Sequence, residues 1–348
     1  ESTYRIRTTA LIERIETTRE SLGAVDTLNG NADNDIMIGG NEGDIIDGNE
    51  GNNIIIGDHG LIDYVIRDAD LSDIDIIAST STTANGGNDD IDSGSGDDIL
   101  IGGRYGDTMD SLGGNNIVIG DSGMITAAND NTSRFGNQPI TIGRIETIEF
   151  GDGGIDTIRT GATSDGNDIV LGGHEGDFIN VYEGDNIVLG DDGVIDYTRA
   201  DREATAAGAD TDASDIDLIA SLSTTAFGGA DDIDSGSGDD ILIGGRYGDT
   251  IDTLGGDNVV FGDSGEITAS DENLASQTYA MSLHGDDDFS DQPITLGSIK
   301  TISVADGGDD DITTGSGSDI VLGGISSVSG AGAKDVIRSG AGADVVIG

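Results

Sequence analysis

Aspartate residues recur every nine positions through much of this sequence, and they are its main candidates for chemistry. Each stands two places before an aliphatic residue or Met, as Asp98 stands before Leu100, and Asn takes the aspartate position in some repeats. Side-chain oxygens repeated at one interval predict a row of similar metal sites. The candidate ligands are Asp26, Asp35, Asp44, Asn53, Asp89, Asp98, Asp107, Asn116, Asp156, Asp168, Asp177, Asn186, Asp231, Asp240, Asp249, Asn258, Asp310, Asp319, Asp335 and Asp344.

Calcium is the ion that these residue types favour. It takes six to eight oxygen ligands, which carboxylates and main-chain carbonyls supply. Zinc sites are built mainly from Cys and His, and this chain has no Cys and 3 His. The formal net charge of -53 opposes compaction until cations bind, so we expect several calcium ions and a chain that is largely unfolded without them.

The elements that position these residues are arranged in repeated blocks. Residues 79–126 and 221–268 are nearly the same sequence, offset by 142 positions. Each block holds four nine-residue repeats followed by a connector, and three-residue and seven-residue insertions interrupt the third and fifth blocks. We expect five units, at residues 1–75, 76–144, 145–217, 218–298 and 299–348, the last being incomplete and the whole being a fragment of a longer protein.

Two segments, Ser93–Ile101 and Ser339–Ile347, carry the pattern Gly-x-Gly-x-Asp-x-apolar-x after an initial Ser. In this they resemble the RTX family, whose nonapeptide forms a calcium-binding β-roll. The segments 39–44 and 102–107 depart from the pattern because their later Gly stands one place further on. We expect those turns to coordinate calcium differently or less well.

The resemblance implies an all-β fold, a parallel β-roll or β-helix of about two coils per block. Six residues of each repeat would form a turn and three a short strand, so that successive repeats lie on two facing parallel sheets. Like turns would then stack about 4.8 Å apart. Glycine would allow backbone angles that a Cβ forbids and would leave carbonyls free to face the ions.

Two groups of polar residues at the block ends were considered as further ligands. Asn53, Asn116, Asn186 and Asn258 are neutral and predict weaker or terminal sites. A Gly-Asp-x-Gly segment follows each of them, after which Ile62, Ile125, Ile195 or Ile267 takes the aspartate position. The acidic residues of those segments are either cap ligands or turn residues; they are Asp58, Asp121, Asp191 and Asp263.

One predicted sheet has an apolar outer face, formed by pairs such as Ile54 and Ile56 or Ile117 and Ile119. Such a patch needs a cover. The connector segments 140–145 and 294–299 alternate like strands and would add a third sheet over it. Another chain is the alternative cover, which would give self-association into a fibre or layer. The remaining connectors are polar and predict surface loops; they span 63–75, 126–139, 196–217 and 268–293.

Several functions are disfavoured by composition. Only 15 basic residues are present, so we expect no nucleic-acid partner, and no apolar run reaches the length of a membrane span. Gly-Asp-Ser-Gly at 120–123 and 262–265 resembles a serine protease motif, but no His recurs beside it to act as base. His59, His174 and His284 stand at unrelated positions. We therefore expect no enzyme.

The sequence thus predicts a calcium-loaded repeat segment of a large secreted or cell-surface bacterial protein, as the resemblance implies, such as an adhesin stalk, an extracellular fibre or a surface layer. Affinity on the order of 10⁻⁴ to 10⁻³ M would suit that location. The alternative is the noncatalytic repeat region of a secreted enzyme or toxin. Glycan binding by the connectors is a third, weaker hypothesis, because it has few aromatic residues to use: Tyr64, Phe135, Tyr197, Tyr279 and Phe289.

Overall fold

A computed structural model of the protein defines most of the chain. Within the defined ranges there is no α-helix, and one 3-10 turn spans Arg199–Asp201. No helix there has the length and apolar character needed to cross a membrane. The strands, numbered β1 to β29 along the chain, form three sheets. The defined residues are 12–68, 70–80, 84–129, 134–161, 166–206, 208–222, 226–270, 293–303, 307–324 and 334–348.

Two parallel sheets of ten strands each form the roll. The first, which we call the polar sheet, exposes polar residues on its outer side; it consists of β2 (Thr27–Asn29), β4 (Ile45–Asp47), β8 (Asp90–Ser95), β10 (Thr108–Gly113), β14 (Thr157–Thr160), β16 (Phe178–Tyr182), β20 (Asp232–Ser237), β22 (Thr250–Gly255), β26 (Asp311–Thr313) and β28 (Val336–Arg338). The second, which we call the central sheet, consists of β3 (Ile36–Ile38), β5 (Ile54–Ile56), β9 (Ile99–Ile101), β11 (Ile117–Ile119), β15 (Ile169–Gly173), β17 (Ile187–Asp191), β21 (Ile241–Gly245), β23 (Val259–Asp263), β27 (Ile320–Leu322) and β29 (Val345–Ile347).

The aliphatic residue of each repeat points into the space between these two sheets. Like residues stack in register, as Met109 pairs with Ile91 in the polar sheet and Val118 pairs with Leu100 in the central sheet. These side chains form one continuous core in which Ile46, for example, is fully buried. The nine-residue period therefore becomes one strand per repeat and one coil per two repeats, which confirms the predicted parallel roll.

A third sheet, which we call the covering sheet, lies over the outer side of the central sheet. Its nine strands are antiparallel to their neighbours. They are β1 (Arg14–Glu16), β6 (Gly60–Asp63), β7 (Ile76–Ser79), β12 (Gly123–Ala127), β13 (Ile142–Thr147), β18 (Gly193–Asp196), β19 (Leu218–Ser221), β24 (Gly265–Ala269) and β25 (Leu296–Thr301).

The covering sheet buries the apolar outer face of the central sheet, for which the sequence allowed two kinds of cover. Ile54 and Ile56 of β5 are 1% and 0% exposed, and they pack in one cluster with Ile62, Ile77 and the other inward residues of the covering strands. The predicted third sheet is confirmed. It is larger than expected, because the residues that replace Asp after each block, such as Ile62, form covering strands of their own.

Glycine marks each crossing from the central sheet to the covering sheet. A Cβ at Gly123 would fall 2.5 Å from Cδ1 of Ile119, and Gly60, Gly193 and Gly265 approach the preceding apolar residue in the same way. At these points the chain turns back over the last buried side chain of the preceding central strand, Ile119 in the case of Gly123. The Gly-Asp-x-Gly segments are therefore the corners that lead from the roll into its cover.

Candidate calcium sites

Ten of the predicted ligands lie on one edge of the roll, where the central sheet leads back to the polar sheet. Oδ1 of every one except the first, Asp26, accepts a hydrogen bond from the main-chain N–H of the equivalent residue one coil earlier, at 2.6 Å for Asp44 and 3.3 Å for Asp335. The bonds form an unbroken ladder through the structure. Its members are Asp26, Asp44, Asp89, Asp107, Asp156, Asp177, Asp231, Asp249, Asp310 and Asp335.

The other carboxylate oxygen on this edge is buried without a hydrogen-bond donor. This holds for Oδ2 of all eight residues between the two ends of the ladder. A buried carboxylate oxygen without a partner is costly, so it marks a place where a cation would be favourable. The eight residues are Asp44, Asp89, Asp107, Asp156, Asp177, Asp231, Asp249 and Asp310.

A glycine faces each of these oxygens across a narrow space. A Cβ at Gly102 would lie under 3.0 Å from both Asp107 Oδ2 and the carbonyl oxygen of Gly120 in the next coil. The space exists only because the side chain is hydrogen. We call this side of the roll the glycine edge, after the residues that open it: Gly39, Gly57, Gly102, Gly120, Gly172, Gly190, Gly244 and Gly262.

The oxygens that meet at these spaces are of the kind that calcium binds. A carboxylate oxygen from one turn and a carbonyl oxygen from the adjacent coil approach the same point, and calcium accepts such mixed oxygen sets. Within the defined residues no three Asp, Glu or His side chains converge on one point. A calcium ion here would therefore draw much of its coordination from the main chain.

Burial raises the pKa of the glycine-edge carboxylates, and repulsion between neighbours raises it further for some of them. Burial raises the pKa of Asp89, Asp231 and Asp310 to about 7. Burial, followed by repulsion from adjacent ladder carboxylates, holds the pKa of Asp107 and Asp249 well above the ordinary range. Charges stacked about 4.8 Å apart repel by about 3.5 kcal/mol per neighbouring pair at an effective dielectric constant of 20. This row of carboxylates needs either protons or metal ions.

The other ten predicted ligands form a second ladder on the opposite edge, where the polar sheet leads to the central sheet. Here too Oδ1 accepts the main-chain N–H from one coil earlier, at 2.6 Å for Asp98. Asp alternates with Asn along most of this edge. Its members are Asp35, Asn53, Asp98, Asn116, Asp168, Asn186, Asp240, Asn258, Asp319 and Asp344.

Asp58 and its three counterparts at the block ends anchor the main chain. Oδ1 of Asp58 accepts the N–H of Gly87 at 2.9 Å, and Oδ2 accepts the N–H of Arg104 at 2.6 Å, so one carboxylate ties two later turns together. Of the two interpretations left open by the sequence, this geometry favours a turn residue. The counterparts accept equivalent N–H groups; they are Asp121 (Gly154 and His174), Asp191 (Gly229 and Arg246) and Asp263 (Gly308).

The serine of the protease-like motif and two of the three histidines make contacts within the fold. Ser122 is 0% exposed and donates to Oδ2 of Asp152 at 3.0 Å. Nε2 of His59 lies 2.9 Å from the Glu20 carbonyl oxygen, and His174 stacks edge-on against Phe227. His284 lies outside the defined residues.

Three of the five connector aromatics pack against the core beneath the covering sheet. Tyr64, Phe135 and Tyr197 are partly buried there, and burial raises the pKa of Tyr197 above its ordinary value. Tyr279 and Phe289 lie outside the defined residues.

The family model of the RTX calcium-binding nonapeptide repeat matches several segments of this chain. No curated protein matches it. Residues 145–217 lie outside the matched segments, yet Asp156 and Asp177 continue the glycine-edge ladder there without a break. The matched segments are 23–55, 38–60, 83–100, 92–123, 225–242, 234–266 and 323–348.

Proposed function

The chain carries RTX calcium-binding nonapeptide repeats in several copies along its length, and from this premise we propose that it is a structural segment of a secreted or cell-surface protein. Repeats of this type are typical of secreted proteins. In this role the segment is a spacer, such as the stalk of an adhesin or part of a fibre or surface layer. Calcium makes it fold and stiffen once it is outside the cell.

The continuity of the sheets is the observation that carries this proposal. Two sheets of ten strands and one of nine pass through all the blocks. Ten strands at about 4.8 Å each give a rod about 45 Å long. Every coil hydrogen-bonds to the next through both Asp ladders, so bending the rod requires many bonds to break together. Such a body suits the transmission of force and the setting of distance.

Calcium supplies the switch between the flexible and the rigid chain. Without cations, the stacked carboxylates of the glycine edge repel one another and favour an expanded chain. Calcium bound by Asp Oδ2 and glycine carbonyl oxygens removes that repulsion, and its binding energy becomes folding energy. A chain of this kind stays extended where free calcium is scarce and folds where calcium reaches millimolar levels.

We propose further that the segment is noncatalytic. The burial of Ser122 and its bond to Asp152 support this, since a nucleophile must reach its substrate. The abundant carboxylates are engaged in the ladders and in the main-chain anchors around Asp58.

We also propose that the segment works as a single rod. Its most apolar face is buried under the covering sheet, as the full burial of Ile99 and Ile117 indicates. Fibre growth through that face would require the covering strands to leave it. A concentration series distinguishes the two arrangements.

Small-angle X-ray scattering during a calcium titration tests the proposal. In chelator we expect a coil with a radius of gyration of about 65 Å, and in millimolar calcium a compact rod whose radius of gyration is nearer 20 to 25 Å. The rod should not grow with protein concentration. A radius of gyration that does not change with calcium would refute the proposal. A rod that lengthens with protein concentration would favour assembly between chains.

Single-molecule pulling tests the mechanical role separately. A spacer should resist extension in calcium and extend at much lower force in chelator, with magnesium as the matched control ion. An equal response in calcium and in chelator would count against a stalk and leave the alternative, a repeat region that serves the secretion or folding of a neighbouring catalytic domain.

A further inference from the structure

The two edges of the roll differ in the residue that stands two places after the inward aliphatic residue of each strand, where the turn begins. On the glycine edge this neighbour faces Asp Oδ2 and is always Gly in the coils described above. On the opposite edge, Gly is found only in the first two turns, at Gly30 and Gly48. The later turns carry a side chain there, in most cases with a hydroxyl group: Ser93, Ser111, Thr160, Val181, Ser235, Thr253, Thr314 and Ser339. We call this side the hydroxyl edge.

These hydroxyl groups occupy the position that is open on the glycine edge. Ser93 Oγ donates to Oδ2 of Asp98 at 2.7 Å, and Thr314 Oγ1 donates to Oδ2 of Asp319 at 2.6 Å. At Asp98 and Asp319, the carboxylate oxygen that lacks a partner on the glycine edge therefore has a donor, supplied by its own turn. A Cβ also fills the space in which a cation would stand.

The asparagines satisfy the carbonyl oxygens of the hydroxyl edge. Because Oδ1 of each Asn accepts a main-chain N–H, its Nδ2 must face the other way, toward acceptors. Nδ2 of Asn53 donates to the Gly51 and Ser93 carbonyl oxygens at 3.0 and 3.1 Å. The other three donate to a glycine carbonyl oxygen and to Oδ1 of the next Asp in the ladder: Asn116, Asn186 and Asn258.

An amide thus stands between carbonyl and carboxylate oxygens where calcium would otherwise bridge them. It offers two N–H donors to oxygens of the kind that calcium coordinates, and it carries no charge that needs compensation. Placing Asn between successive Asp residues also doubles the spacing of the charges along this edge. The hydroxyl edge therefore has fewer buried oxygens without a donor, and less accumulated charge, than the glycine edge.

The first turn of the hydroxyl edge is the exception. A Cβ at Gly30 would lie 2.5 Å from Asp35 Oδ2 and 2.8 Å from the Gly48 carbonyl oxygen, and Asp35 Oδ2 lacks a donor. This turn repeats the glycine-edge arrangement. The Oδ2 atoms of Asp168 and Asp240 likewise accept no hydrogen bond, although Oδ1 of each accepts one. Thr160 and Ser235 stand there in the position of the opening glycine.

We propose that calcium binds along the glycine edge and at the Asp35 turn, and that the rest of the hydroxyl edge folds without metal. The inference rests on the proposed calcium-dependent function and narrows it, since only one edge of the roll carries the switch. The proposal reverses an expectation from the sequence. Ser93–Ile101 fits the nonapeptide pattern better than residues 102–107 do, which predicted stronger calcium binding in the turn at Ser93.

Calcium stoichiometry of the full chain is the direct test. Equilibrium dialysis or native mass spectrometry should reach saturation at about nine ions, one for each of the eight glycine-edge turns and one for the Asp35 turn. Saturation near twice that number would overturn the inference and leave the proposed function standing. Binding of no calcium would refute the proposed function itself.

A matched pair of substitutions assigns the ions to an edge. Asp107→Asn and Asp98→Asn both change a buried carboxylate whose Oδ1 accepts a main-chain N–H, at 2.7 and 2.6 Å. The amide keeps an oxygen for that bond in each variant. Asp107→Asn should lose at least one ion and reduce the rise in Tm that calcium causes, whereas Asp98→Asn should bind as many ions as the unchanged chain.

Loss of an ion from Asp98→Asn, with none lost from Asp107→Asn, would place calcium on the wrong edge and overturn the inference. Circular dichroism in saturating calcium checks that each variant folds. If either does not fold, the stoichiometry of the unchanged chain still decides between one edge and two.

Discussion

The main-chain N–H of Asp107 donates to Oδ1 of Asp156 at 2.7 Å, although 49 positions of sequence separate them. The bond holds one coil to the next, and it leaves Oδ2 of the same carboxylate facing the space beside Gly120. In each of the eight glycine-edge residues whose Oδ2 lacks a donor, one carboxylate oxygen is therefore used for folding and the other is free for a cation. Fold and metal site share a side chain without competing for the same atom.

Adding a methyl group on the glycine edge should remove a calcium site. In Gly102→Ala the Cβ would lie under 3.0 Å from Asp107 Oδ2 and from the Gly120 carbonyl oxygen, so we expect a loss of about 1 to 3 kcal/mol in stability and weaker calcium binding. Gly255→Ala is the matched control, because its nearest neighbour would be Ser316 Oγ at 3.2 Å. Isothermal calorimetry and thermal unfolding compare the two, and equal behaviour would contradict the assignment.

Acid should oppose calcium and stabilise the calcium-free fold. Asp89 and Asp310 have pKa values of about 7 in the folded chain because of burial, against about 3.9 in an unfolded one. The folded state then binds more protons between these values, so its free energy of unfolding in chelator is greatest below about pH 4 and falls as pH rises through about 7. Calcium must displace those protons, so its affinity should weaken as pH falls below 7. Urea unfolding in chelator and calcium titrations at several pH values test both trends; affinity that is constant from pH 5 to 8 would contradict them.

Removing an anchor at a block end should cost stability and leave calcium binding unchanged. Asp58→Ala takes away both acceptors of the Gly87 and Arg104 N–H groups. Unsatisfied buried donors cost about 1 to 3 kcal/mol each, so chemical unfolding in saturating calcium should show a loss of about 2 to 5 kcal/mol. Asp252→Ala, on the exposed side of the polar sheet, is the control and should change little. A changed number of bound ions in Asp58→Ala would instead identify Asp58 as a ligand.

Calcium binding should be transferable to the hydroxyl edge. The double substitution Ser93→Gly and Asn116→Asp opens the space beside Asp98 and restores an uninterrupted run of carboxylates from Asp98 to Asp168. We expect at least one additional calcium ion by native mass spectrometry, together with a chain that is less stable in chelator. The single substitution Ser93→Gly is the control, since the Asn116 amide still engages the neighbouring oxygens. If the double variant binds no additional calcium ion, the side chains of Ser93 and Asn116 do not explain why calcium prefers the glycine edge.

The covering sheet should contribute to stability through its buried face. Ile145 is 0% exposed and pairs with Ile125 and Ile195 on either side, so Ile145→Ala should cost about 2 to 5 kcal/mol. Ile66, which is 59% exposed, should lose no more than about 0.5 kcal/mol when changed to Ala. Urea unfolding in calcium measures both. A small effect at Ile145 would mean that the covering strands detach easily.

Much of the roll was predictable because its rules are local. A period of nine with Asp and an aliphatic residue two places apart, as in Asp98 and Leu100, specifies the turn, the strand and the face of each repeat. The alternation of apolar and polar flanks likewise predicted that one sheet needed a cover. These features depend on short stretches of chain and on a stacking distance common to all sheets.

The covering sheet and the difference between the edges were less accessible. Strand β6 pairs with β1 and β7, and neither pairing follows from the alternation of Ile62 with its neighbours. The contrast between Gly102 and Ser93 was present in the sequence, but its meaning depends on the oxygen that each faces, Asp107 Oδ2 or Asp98 Oδ2. Comparison of the residue two places after each inward aliphatic residue would have revealed it.

The duplication of residues 79–126 at 221–268 has a consequence for evolution. Each copy adds whole coils to the roll and new strands to the covering sheet. A unit of 142 residues contributes four coils, or about 19 Å of rod, and leaves the cross-section unchanged. Unequal recombination between copies would thus change the length of the rod in fixed steps. A lineage could adjust how far the molecule extends by gene copy number alone, without evolving a new fold for each length.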